Sequence, residues 1–322
     1  MKAIIINEYG GPEKLQLTEV DAPRPAPEEV LIQVGVAGVN FIDTYHRTGL
    51  YPAETPFTPG MEAAGTIAAV GSEVTGFEPG DRVAYGMSRG SYAAFAAVPA
   101  WQVVKLPDEV DLEHGAAAML QGMTAHYLTH STFPLKQGDT ALVHAAAGGA
   151  GLLIVQMAKL RGARVIGTTS TEEKAARARA AGADDVILYT EQDFHAESRR
   201  LTGGRGVDVV YDSVGAATWE KSLDSLRPRG MMVTFGNASG PVPEITPLVL
   251  TQKGSIFLTR PTLFHYCTNR AEVLERAGAI LDWIAAGKLS ISIFKTYPLA
   301  DAAQAHRDLE GRVSTGKLLL KP

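Results

Sequence analysis

The segment His144-Ala-Ala-Ala-Gly-Gly-Ala-Gly151 decides the fold of the central part of the chain. It stands at the end of a strand-sized apolar run, Ala141–Ala146, and opens a helical pattern, Leu152–Arg161. A glycine-rich turn in this setting brings backbone N–H groups and a helix N-terminus to a pyrophosphate. Ala146 replaces the first glycine of the G-x-G-x-x-G pattern, so the loop alone also fits a purely structural tight turn.

Strand-sized apolar runs alternate with helical patterns around this loop. Strands are predicted at Ala141–Ala146, Arg164–Thr168, Asp185–Leu188, Val207–Asp212, Met231–Phe235 and Ser255–Leu258, and helices at Leu152–Arg161, Glu172–Ala181, Asp193–Leu201 and Thr218–Leu226. Strand–helix repetition at this spacing predicts an α/β domain with a doubly wound parallel sheet.

The segments on either side of this domain have a different pattern. Up to about Pro107, short Val/Ile-rich runs between Gly and Pro residues predict a β-rich domain, with strands at Val30–Val39, Ala63–Val70, Arg82–Tyr85 and Trp101–Leu106. An Ala-rich helical segment, Glu113–His130, follows. After a long helix at Arg270–Ala286, short strands return at Ile291–Lys295 and Lys317–Leu320, around a helix at Asp301–Glu310. We expect this tail to close the first domain.

Composition narrows the function classes. The 30 Lys and Arg residues against 35 Asp and Glu give a net charge of −5, which provides no general attraction for nucleic acid or acidic membranes. Cys267 is the one cysteine, so an intrachain disulfide is impossible and a reducing cytoplasm fits best. The N-terminal apolar run, Ala3–Ile6, is too short for a signal peptide or a membrane span and predicts a first strand.

The residues after the second predicted strand indicate which dinucleotide binds. Folds that bind NADH commonly place an acid there for the ribose 2′-hydroxyl, whereas this chain has Thr169. Thr169, Ser170 and Thr171 offer hydroxyls and Lys174 offers a cation, which favours NADPH over NADH. Taken singly, Lys174 also fits a solvated charge on a helix face that carries Glu and Arg residues.

With these residues placed, the chain resembles the quinone oxidoreductases, the zeta-crystallin-like branch of the zinc-independent medium-chain dehydrogenase/reductases. The resemblance spans the whole chain and rests on the segments GVNFIDTYHRTGLYP (Gly38–Pro52), PGMEAAGTIAAVG (Pro59–Gly71), HAAAGGAG (His144–Gly151), YDSVG (Tyr211–Gly215) and FGNASG (Phe235–Gly240).

This resemblance implies two domains and an activity. Residues 1–122 with 262–322 would form a GroES-like β-rich catalytic domain, and residues 123–261 a Rossmann domain that binds NADPH. The implied activity is hydride transfer from NADPH to a quinone. Relatives commonly dimerise by pairing edge strands of their cofactor domains, here around Ser255–Thr259.

Motif and resemblance together imply a set of cofactor-binding residues. They are Asn40, Thr124, Ala147, Gly148, Gly149, Ala150, Gly151, Thr169, Ser170, Lys174, Tyr189, Ser213, Phe235, Gly236, Asn237, Arg260 and Arg312. The resemblance assigns Asn40, Thr124, the Phe235–Asn237 segment and the Arg260 segment to the nicotinamide. Tyr189 and Arg312 are assigned to the adenosine phosphate.

No metal is expected. In zinc-containing relatives a histidine ligand precedes the glutamate that matches Glu62, but Met61 occupies that place here. A catalytic zinc is held by three protein ligands, and Cys267, the one cysteine, lies far along the chain from this segment. For Glu62, the resemblance implies a residue that orients the cleft, and a buried hydrogen-bonded carboxylate is equally compatible.

The acceptor is expected to lie near one polar loop, which contains Asn40, Tyr45 and Tyr51. We hypothesise that Tyr51, with Tyr45 and Asn40, lines the acceptor pocket, and that Tyr51 or a water donates to the developing oxyanion. The alternative is that both tyrosines are wall residues without a proton role. Asp43 is interpreted as a cap for backbone N–H groups.

Two other functions remain open from the sequence. One is reduction of the carbon–carbon double bond of α,β-unsaturated aldehydes or ketones with the same cofactor. The other is a non-catalytic, NADPH-binding structural or RNA-associated protein, although the net charge of −5 disfavours RNA.

Overall fold

The computed structural model describes all residues, Met1–Pro322. The chain divides into two compact units. Unit 1 comprises Met1–Met123 and Tyr266–Pro322, and unit 2 comprises Thr124–His265.

Fifteen strands and ten α-helices make up the two units. The strands are β1 (Lys2–Ile5), β2 (Gln16–Glu19), β3 (Glu29–Val39), β4 (Glu62–Val70), β5 (Arg82–Gly86), β6 (Phe95–Pro99), β7 (Val103–Lys105), β8 (Thr140–Val143), β9 (Arg164–Thr169), β10 (Asp185–Leu188), β11 (Val207–Asp212), β12 (Leu226–Thr234), β13 (Phe257–Thr259), β14 (Ile293–Pro298) and β15 (Lys317–Lys321). The helices are α1 (Phe41–Thr48), α2 (Leu112–Tyr127), α3 (Gly149–Leu160), α4 (Glu172–Ala180), α5 (Phe194–Leu201), α6 (Trp219–Ser225), α7 (Leu248–Gln252), α8 (Leu263–Tyr266), α9 (Arg270–Ala285) and α10 (Ala302–Glu310).

Unit 2 is built on a six-stranded parallel sheet in the order β10-β9-β8-β11-β12-β13. Numbered within the unit, this is the 3-2-1-4-5-6 order of dinucleotide-binding folds, in which ligands bind beyond the carboxyl ends of the strands where the order reverses. That reversal lies between β8 and β11. The predicted parallel sheet is confirmed, and its core includes Leu142, Ile166, Val210 and Trp219.

Unit 1 contains a seven-stranded sheet in the order β14-β15-β3-β4-β5-β7, with β6 also paired to β3. The C-terminal strand β15 runs antiparallel to β3, with Leu319 opposite Gly38, so the tail joins the sheet formed by the N-terminal strands. Apolar residues from both parts of the chain share one core, for example Ile32 and Tyr85 with Tyr297 and Leu320.

Several element boundaries differ from the sequence expectation. Strand β8 ends at Val143 rather than at Ala146, and β12 begins at Leu226 rather than at Met231. Three other differences have a local backbone cause. The run from Trp101 forms a strand only from Val103, because a 3-10 turn at Ala100–Gln102 follows Pro99. Ser255 has a left-handed backbone (φ +54°), so β13 begins at Phe257 rather than at Ser255. Helix α2 ends at Tyr127 and gives way to a π turn at Leu128–Thr132.

None of the helices is both long enough and apolar enough to span a membrane.

Candidate cofactor and acceptor sites

The glycine loop joins β8 to α3 in unit 2. The N–H of Gly148 donates to the carbonyl of Ala145 at 2.9 Å, and the N–H of Ala146 donates to the carbonyl of Thr168, at the end of β9, at 3.1 Å. Gly148 is the N-cap of α3, and no side chain caps this helix. A Cβ at Gly151 would lie 2.2 Å from the Ala145 oxygen. Glycine therefore permits the close contact between loop and helix.

The uncapped start of α3 fits a pyrophosphate. First-turn N–H groups have no partner within a helix and carry the positive end of its dipole. The residues that surround them are Ala147, Gly148, Gly149 and Ala150, none of which has a side chain beyond Cβ to cover these donors. Backbone donors and small residues are the combination that a bound phosphate requires.

The carboxyl ends of β11, β12 and β13 bring three more predicted segments together. A Cβ at Gly236 would lie 2.4 Å from the Ser213 carbonyl oxygen, so the two segments are in direct backbone contact. The guanidinium of Arg260 donates to the Gly236 carbonyl at 2.9 Å and to Thr234 Oγ1 at 3.1 Å. Phe235 and Asn237, half-buried, flank Gly236.

The residues predicted to select NADPH lie at the ends of β9 and β10. Thr169 is buried, and its hydroxyl donates to the Thr171 carbonyl at 3.4 Å. Ser170 and Lys174 are half-buried. Tyr189 is 43% exposed, and its N–H donates to the Thr169 carbonyl at 3.1 Å.

Thr171 caps the helix that follows β9. Its hydroxyl accepts the N–H of Lys174 at 3.3 Å and so caps α4. The cap places Lys174 in the first turn of that helix. Thr169, Ser170 and Lys174 stay the predicted ligands of the 2′-phosphate at this edge.

A buried network behind the glycine loop was missed by the sequence analysis. His144 lies 2.9 Å from Thr168 Oγ1 through Nδ1 and 2.9 Å from Ser222 Oγ through Nε2. Ser222 donates to Asp212 at 3.1 Å, so its oxygen is left to accept from His144. Burial lowers the pKa of His144, against the raising effect of Asp212, and favours the neutral ring. The network ties the ends of β8, β9 and β11 together.

Asn40 is held by a buried cluster in unit 1. Its Nδ2 donates to Glu62 Oε1 at 2.8 Å, and its Oδ1 accepts from Lys317 Nζ at 2.7 Å and from Gln121 Nε2 at 3.2 Å. Lys317 also pairs directly with Glu62, which accepts the N–H of Leu120 at 2.6 Å. Glu62 is therefore a buried, hydrogen-bonded carboxylate. An amide nitrogen carries two hydrogens, so Asn40 can offer the second to a ligand.

Lys317 is the second functional candidate that the sequence analysis missed. It lies 277 residues from Asn40 along the chain, and its side chain is 1% exposed. A lysine at the start of an apolar strand, KLLLK, was the available signal, because a buried lysine requires a buried partner.

Tyr45 and Tyr51 are brought together, but the prediction that they share one loop is wrong, because Tyr45 lies on helix α1 and Tyr51 follows the end of that helix. Their ring centroids lie 5.2 Å apart at an angle of 65°, and the Tyr51 N–H donates to the Tyr45 carbonyl at 3.1 Å. Phe41 and His46 extend this aromatic cluster at 6.3 Å from Tyr45 and 6.2 Å from Tyr51. Tyr45 is buried and Tyr51 is half-buried.

Asp43 is confirmed as a backbone cap. Its Oδ2 accepts the N–H of Asn40 at 2.8 Å, in a reciprocal capping box at the start of α1. Burial raises the pKa of Asp43 to about 7, although hydrogen bonds from Asn40 and Tyr92 and the charge of Lys317 act in the opposite direction.

The remaining predicted residues lie in separate places. Thr124, at the start of unit 2, is half-buried in α2. Arg312 is exposed in the turn after α10, with a left-handed backbone (φ +57°) and its N–H on the Leu309 carbonyl. Asn40, Tyr45, Tyr51 and Arg312 belong to unit 1.

No three His, Cys, Asp or Glu side chains are grouped to hold a metal ion. Met61 and Cys267 are both buried. The expectation that no two histidines have the i, i+4 spacing of some metal ligands is wrong, because His126 and His130 have it. Their rings stack 4.3 Å apart at an angle of 6°.

The strand order and the uncapped glycine loop define a dinucleotide-binding fold of the kind that dehydrogenases and reductases use. Residues 149–283 match the family described as zinc-binding dehydrogenase, and residues 26–108 match the alcohol dehydrogenase GroES-like domain. Unit 1 therefore contains a GroES-like domain, and unit 2 has the Rossmann strand order.

Full-length relatives narrow the family. The chain is 45% identical to a quinone oxidoreductase of Pseudomonas aeruginosa, over 100% of this chain and 99% of that protein. It is also 45% identical to a 2-haloacrylate reductase of a Burkholderia species, over 99% of this chain and 98% of that protein. The crystal structure of Escherichia coli quinone oxidoreductase complexed with NADPH has a TM-score of 0.98, with 43% identity and 100% of both chains covered. The chain belongs to the zeta-crystallin-like quinone oxidoreductases of the medium-chain dehydrogenase/reductase family, as its motifs predicted.

Proposed function

We propose that this chain is an NADPH-dependent quinone reductase that works without a metal ion. The observation that carries the proposal is the glycine loop at the start of α3, where open N–H donors meet residues without bulky side chains. Full-length similarity to the NADPH-complexed quinone oxidoreductase supports the same cofactor. The buried Met61, in place of a histidine ligand, supports a metal-free site.

The strand ends of unit 2 would hold the cofactor. The start of α3 would bind the pyrophosphate, and Thr169, Ser170 and Lys174 would bind the 2′-phosphate, with Tyr189 beside them. In unit 2, Ser213, Phe235–Asn237, Arg260 and Thr124 would bind the nicotinamide half. The family resemblance also assigns Asn40 to the nicotinamide and Arg312 to the adenosine phosphate. Bound NADPH supplies a hydride to the acceptor.

In the acceptor site, the residues of this chain orient the acceptor and hold a proton. Tyr45 is buried and fixes the position of Tyr51 by ring packing and a backbone hydrogen bond. We propose that the Tyr51 hydroxyl donates to the oxygen on which charge develops. A conjugated acceptor suits such a site, since its charge is delocalised onto oxygen and a hydrogen-bond donor can stabilise it.

Substitution Tyr51→Phe tests this donor role. We expect kcat with a quinone to fall by about tenfold to a hundredfold, because one hydrogen bond to the developing charge is lost. The ring contact with Tyr45 is kept, so NADPH affinity is expected to stay the same. Stopped-flow oxidation of NADPH measures the change. A rate and pH profile equal to those of the unsubstituted protein would show that Tyr51 only lines the pocket.

The second candidate function is reduction of activated carbon–carbon double bonds. The similarity to a 2-haloacrylate reductase, as strong as that to the quinone oxidoreductase, favours it. Both functions use the same cofactor and the same fold, and they differ in the pocket's fit to the acceptor.

A cofactor and acceptor screen separates these functions. We expect kcat/KM for NADPH to exceed that for NADH by at least about tenfold, since one cation on the 2′-phosphate is worth 1.5–3 kcal/mol. Benzoquinones and naphthoquinones are expected to be reduced faster than alkenals and 2-haloacrylates. A preference for the alkenes would establish the second function, and NADPH binding without turnover would indicate a non-catalytic protein.

Assembly, domain roles and location complete the proposal. We assign the catalytic role to residues 1–122 with 262–322 and NADPH binding to residues 123–261.

Strand β13 ends the six-stranded sheet and Phe257 on it is 58% exposed. An exposed edge strand suits a homodimer in which β13 pairs with β13 of a second copy. Light scattering measures the assembly mass. A single cysteine and no disulfide suit the cytoplasm.

A further inference from the structure

A chain of buried hydrogen bonds in unit 1 runs from Asn40 to the C-terminal helix α10. The N–H of Asn40 donates to Asp43 Oδ2 at 2.8 Å, and the Tyr92 hydroxyl donates to the same oxygen at 2.9 Å. Tyr92 Oη lies 3.1 Å from His306 Nε2, and His306 Nδ1 lies 3.0 Å from Arg47 Nη1. All five residues are buried.

Arg47 fixes the direction of the bonds that His306 and Tyr92 make. A guanidinium only donates, so His306 Nδ1 must accept and the ring proton must sit on Nε2. Nε2–H then donates to the Tyr92 oxygen, which leaves the Tyr92 proton for Asp43. Burial and the charge of Arg47 lower the pKa of His306 to about 3, so the ring stays neutral in this arrangement.

Each nitrogen of the Arg47 guanidinium makes a hydrogen bond, and Nη1 makes the one to His306. Arg47 Nε donates to the Gly10 carbonyl at 3.0 Å, and Nη2 donates to Glu310 at 2.7 Å. Arg47 lies in α1, one residue before its end, while Asp43 caps its start. The hydrogen-bonded chain therefore fastens α1 at both ends, to α10 and to the N-terminal loop.

We propose that Asp43, Tyr92 and His306 are positioning residues that hold Asn40 in the orientation it needs toward cofactor and acceptor. The proposal rests on the proposed function, in which Asn40 contacts the nicotinamide. Two sets of hydrogen bonds hold Asn40. Lys317 and Glu62 bind its side chain, and Asp43 accepts its backbone N–H. Loss of the backbone contact leaves the side-chain contacts in place but frees the start of α1.

This arrangement makes the site depend on pH. The groups that face Asp43 are Asn40 and Tyr92 by hydrogen bonds and Lys317 and Glu62 by charge, and the pKa of Asp43 is about 7. Ionised Asp43 accepts both donors well, whereas protonation weakens both bonds. Activity should therefore fall as the pH drops through about 7. The Tyr92 hydrogen bond lowers the pKa of Asp43, so its loss should move this fall to higher pH.

Substitution Tyr92→Phe tests the proposal, with Tyr85→Phe as its matched control. Tyr85 is also fully buried in unit 1, but its hydroxyl has no hydrogen-bond partner. We expect Tyr92→Phe to lower kcat/KM by about tenfold, to weaken NADPH binding and to move the acid limb of the pH profile upward. Tyr85→Phe is expected to stay within about twofold of the unsubstituted protein, since no bond is lost.

Two substitutions of His306 test the direction of the hydrogen-bonded chain, and one of Asp43 tests the pH dependence. His306→Gln keeps an amide that can accept from Arg47 and donate to Tyr92, and is expected to retain the pH profile. His306→Phe keeps the edge-on ring contact with Tyr92 but has no polar atom. Tyr92 then loses the bond that it accepts but still donates to Asp43, so we expect a smaller change in the pH profile than for Tyr92→Phe. Asp43→Asn is expected to abolish the acid limb.

The measurements are kcat and KM from pH 5 to 9 and, independently of turnover, the dissociation constant of NADPH by fluorescence over the same range. The proposal is overturned if Tyr92→Phe matches Tyr85→Phe in both the pH profile and the dissociation constant. Failure of the proposed function is a separate result, namely no turnover of any acceptor by the unsubstituted protein, and the NADPH titrations then still test the positioning role.

Discussion

Substitution Lys317→Met is expected to lower the free energy of unfolding by about 3–5 kcal/mol, the cost of leaving one charge of a buried pair without its partner. The pair of Lys317 with Glu62 is almost completely inaccessible, at 1% and 0% exposure. Removal of the ammonium leaves the Glu62 carboxylate buried with only the donors of Asn40 and Leu120. Chemical denaturation at pH 7 measures the difference.

Two variants separate loss of the partner from loss of a lysine as such. Lys105→Met also breaks an ion pair, but Lys105 is 52% exposed where it meets Asp81, so we expect a cost of no more than about 1 kcal/mol. The double variant Glu62→Gln with Lys317→Met removes both charges and is expected to recover part of the loss. Equal losses for Lys317→Met and Lys105→Met would mean that the buried pair contributes no more than a surface pair.

The pair also bears on the proposed site, since Lys317 holds Asn40 Oδ1. Without Lys317, the amide of Asn40 keeps Glu62 and Gln121 as partners and can rotate about them. We therefore expect NADPH-dependent turnover in Lys317→Met to fall even under conditions in which the variant is fully folded. Stability and site geometry depend on the same buried charges.

Much of unit 2 was predictable because its signals are local. The runs Asp185–Leu188 and Val207–Asp212 were predicted with the bounds of β10 and β11, since buried parallel strands are continuous apolar runs bounded by polar residues. The glycine loop was recognisable for the same reason, because strand, turn and helix follow one another directly. The start of β13 was predicted wrongly, at Ser255 instead of Phe257. Ser255 has a left-handed backbone, which is not predictable from a serine at that position.

The contacts that hold the proposed acceptor site were not predictable from one sequence. Arg47 and His306 are 259 residues apart, and Asn40 and Lys317 are 277 apart. Both contacts arise because β15 pairs with β3 and α10 lies near α1, a tertiary arrangement that no sequence period encodes. A sequence shows that Asp43 or Lys317 is polar. It does not show that each is buried beside a partner that makes burial tolerable.

Substitution Gly151→Ala is expected to weaken NADPH binding by at least about tenfold and to lower the free energy of unfolding by about 1–3 kcal/mol, as overpacking does elsewhere in protein cores. The new Cβ would lie 2.2 Å from the Ala145 oxygen and 2.9 Å from the Ala146 Cα. Both are backbone atoms, so the loop itself must move away from α3. Ala145 already has a left-handed backbone (φ +49°), which leaves little freedom for that movement.

Gly278→Ala provides the matched control, because Gly278 lies inside α9 and a Cβ there would meet nothing within 4 Å. We expect this variant to gain up to about 1 kcal/mol of stability, since Ala is the better helix former, and to bind NADPH unchanged. Denaturation and fluorescence titration measure both quantities for both variants. If Gly151→Ala binds NADPH as tightly as Gly278→Ala, the close contact of loop and helix is a packing feature, and the pyrophosphate must be held elsewhere.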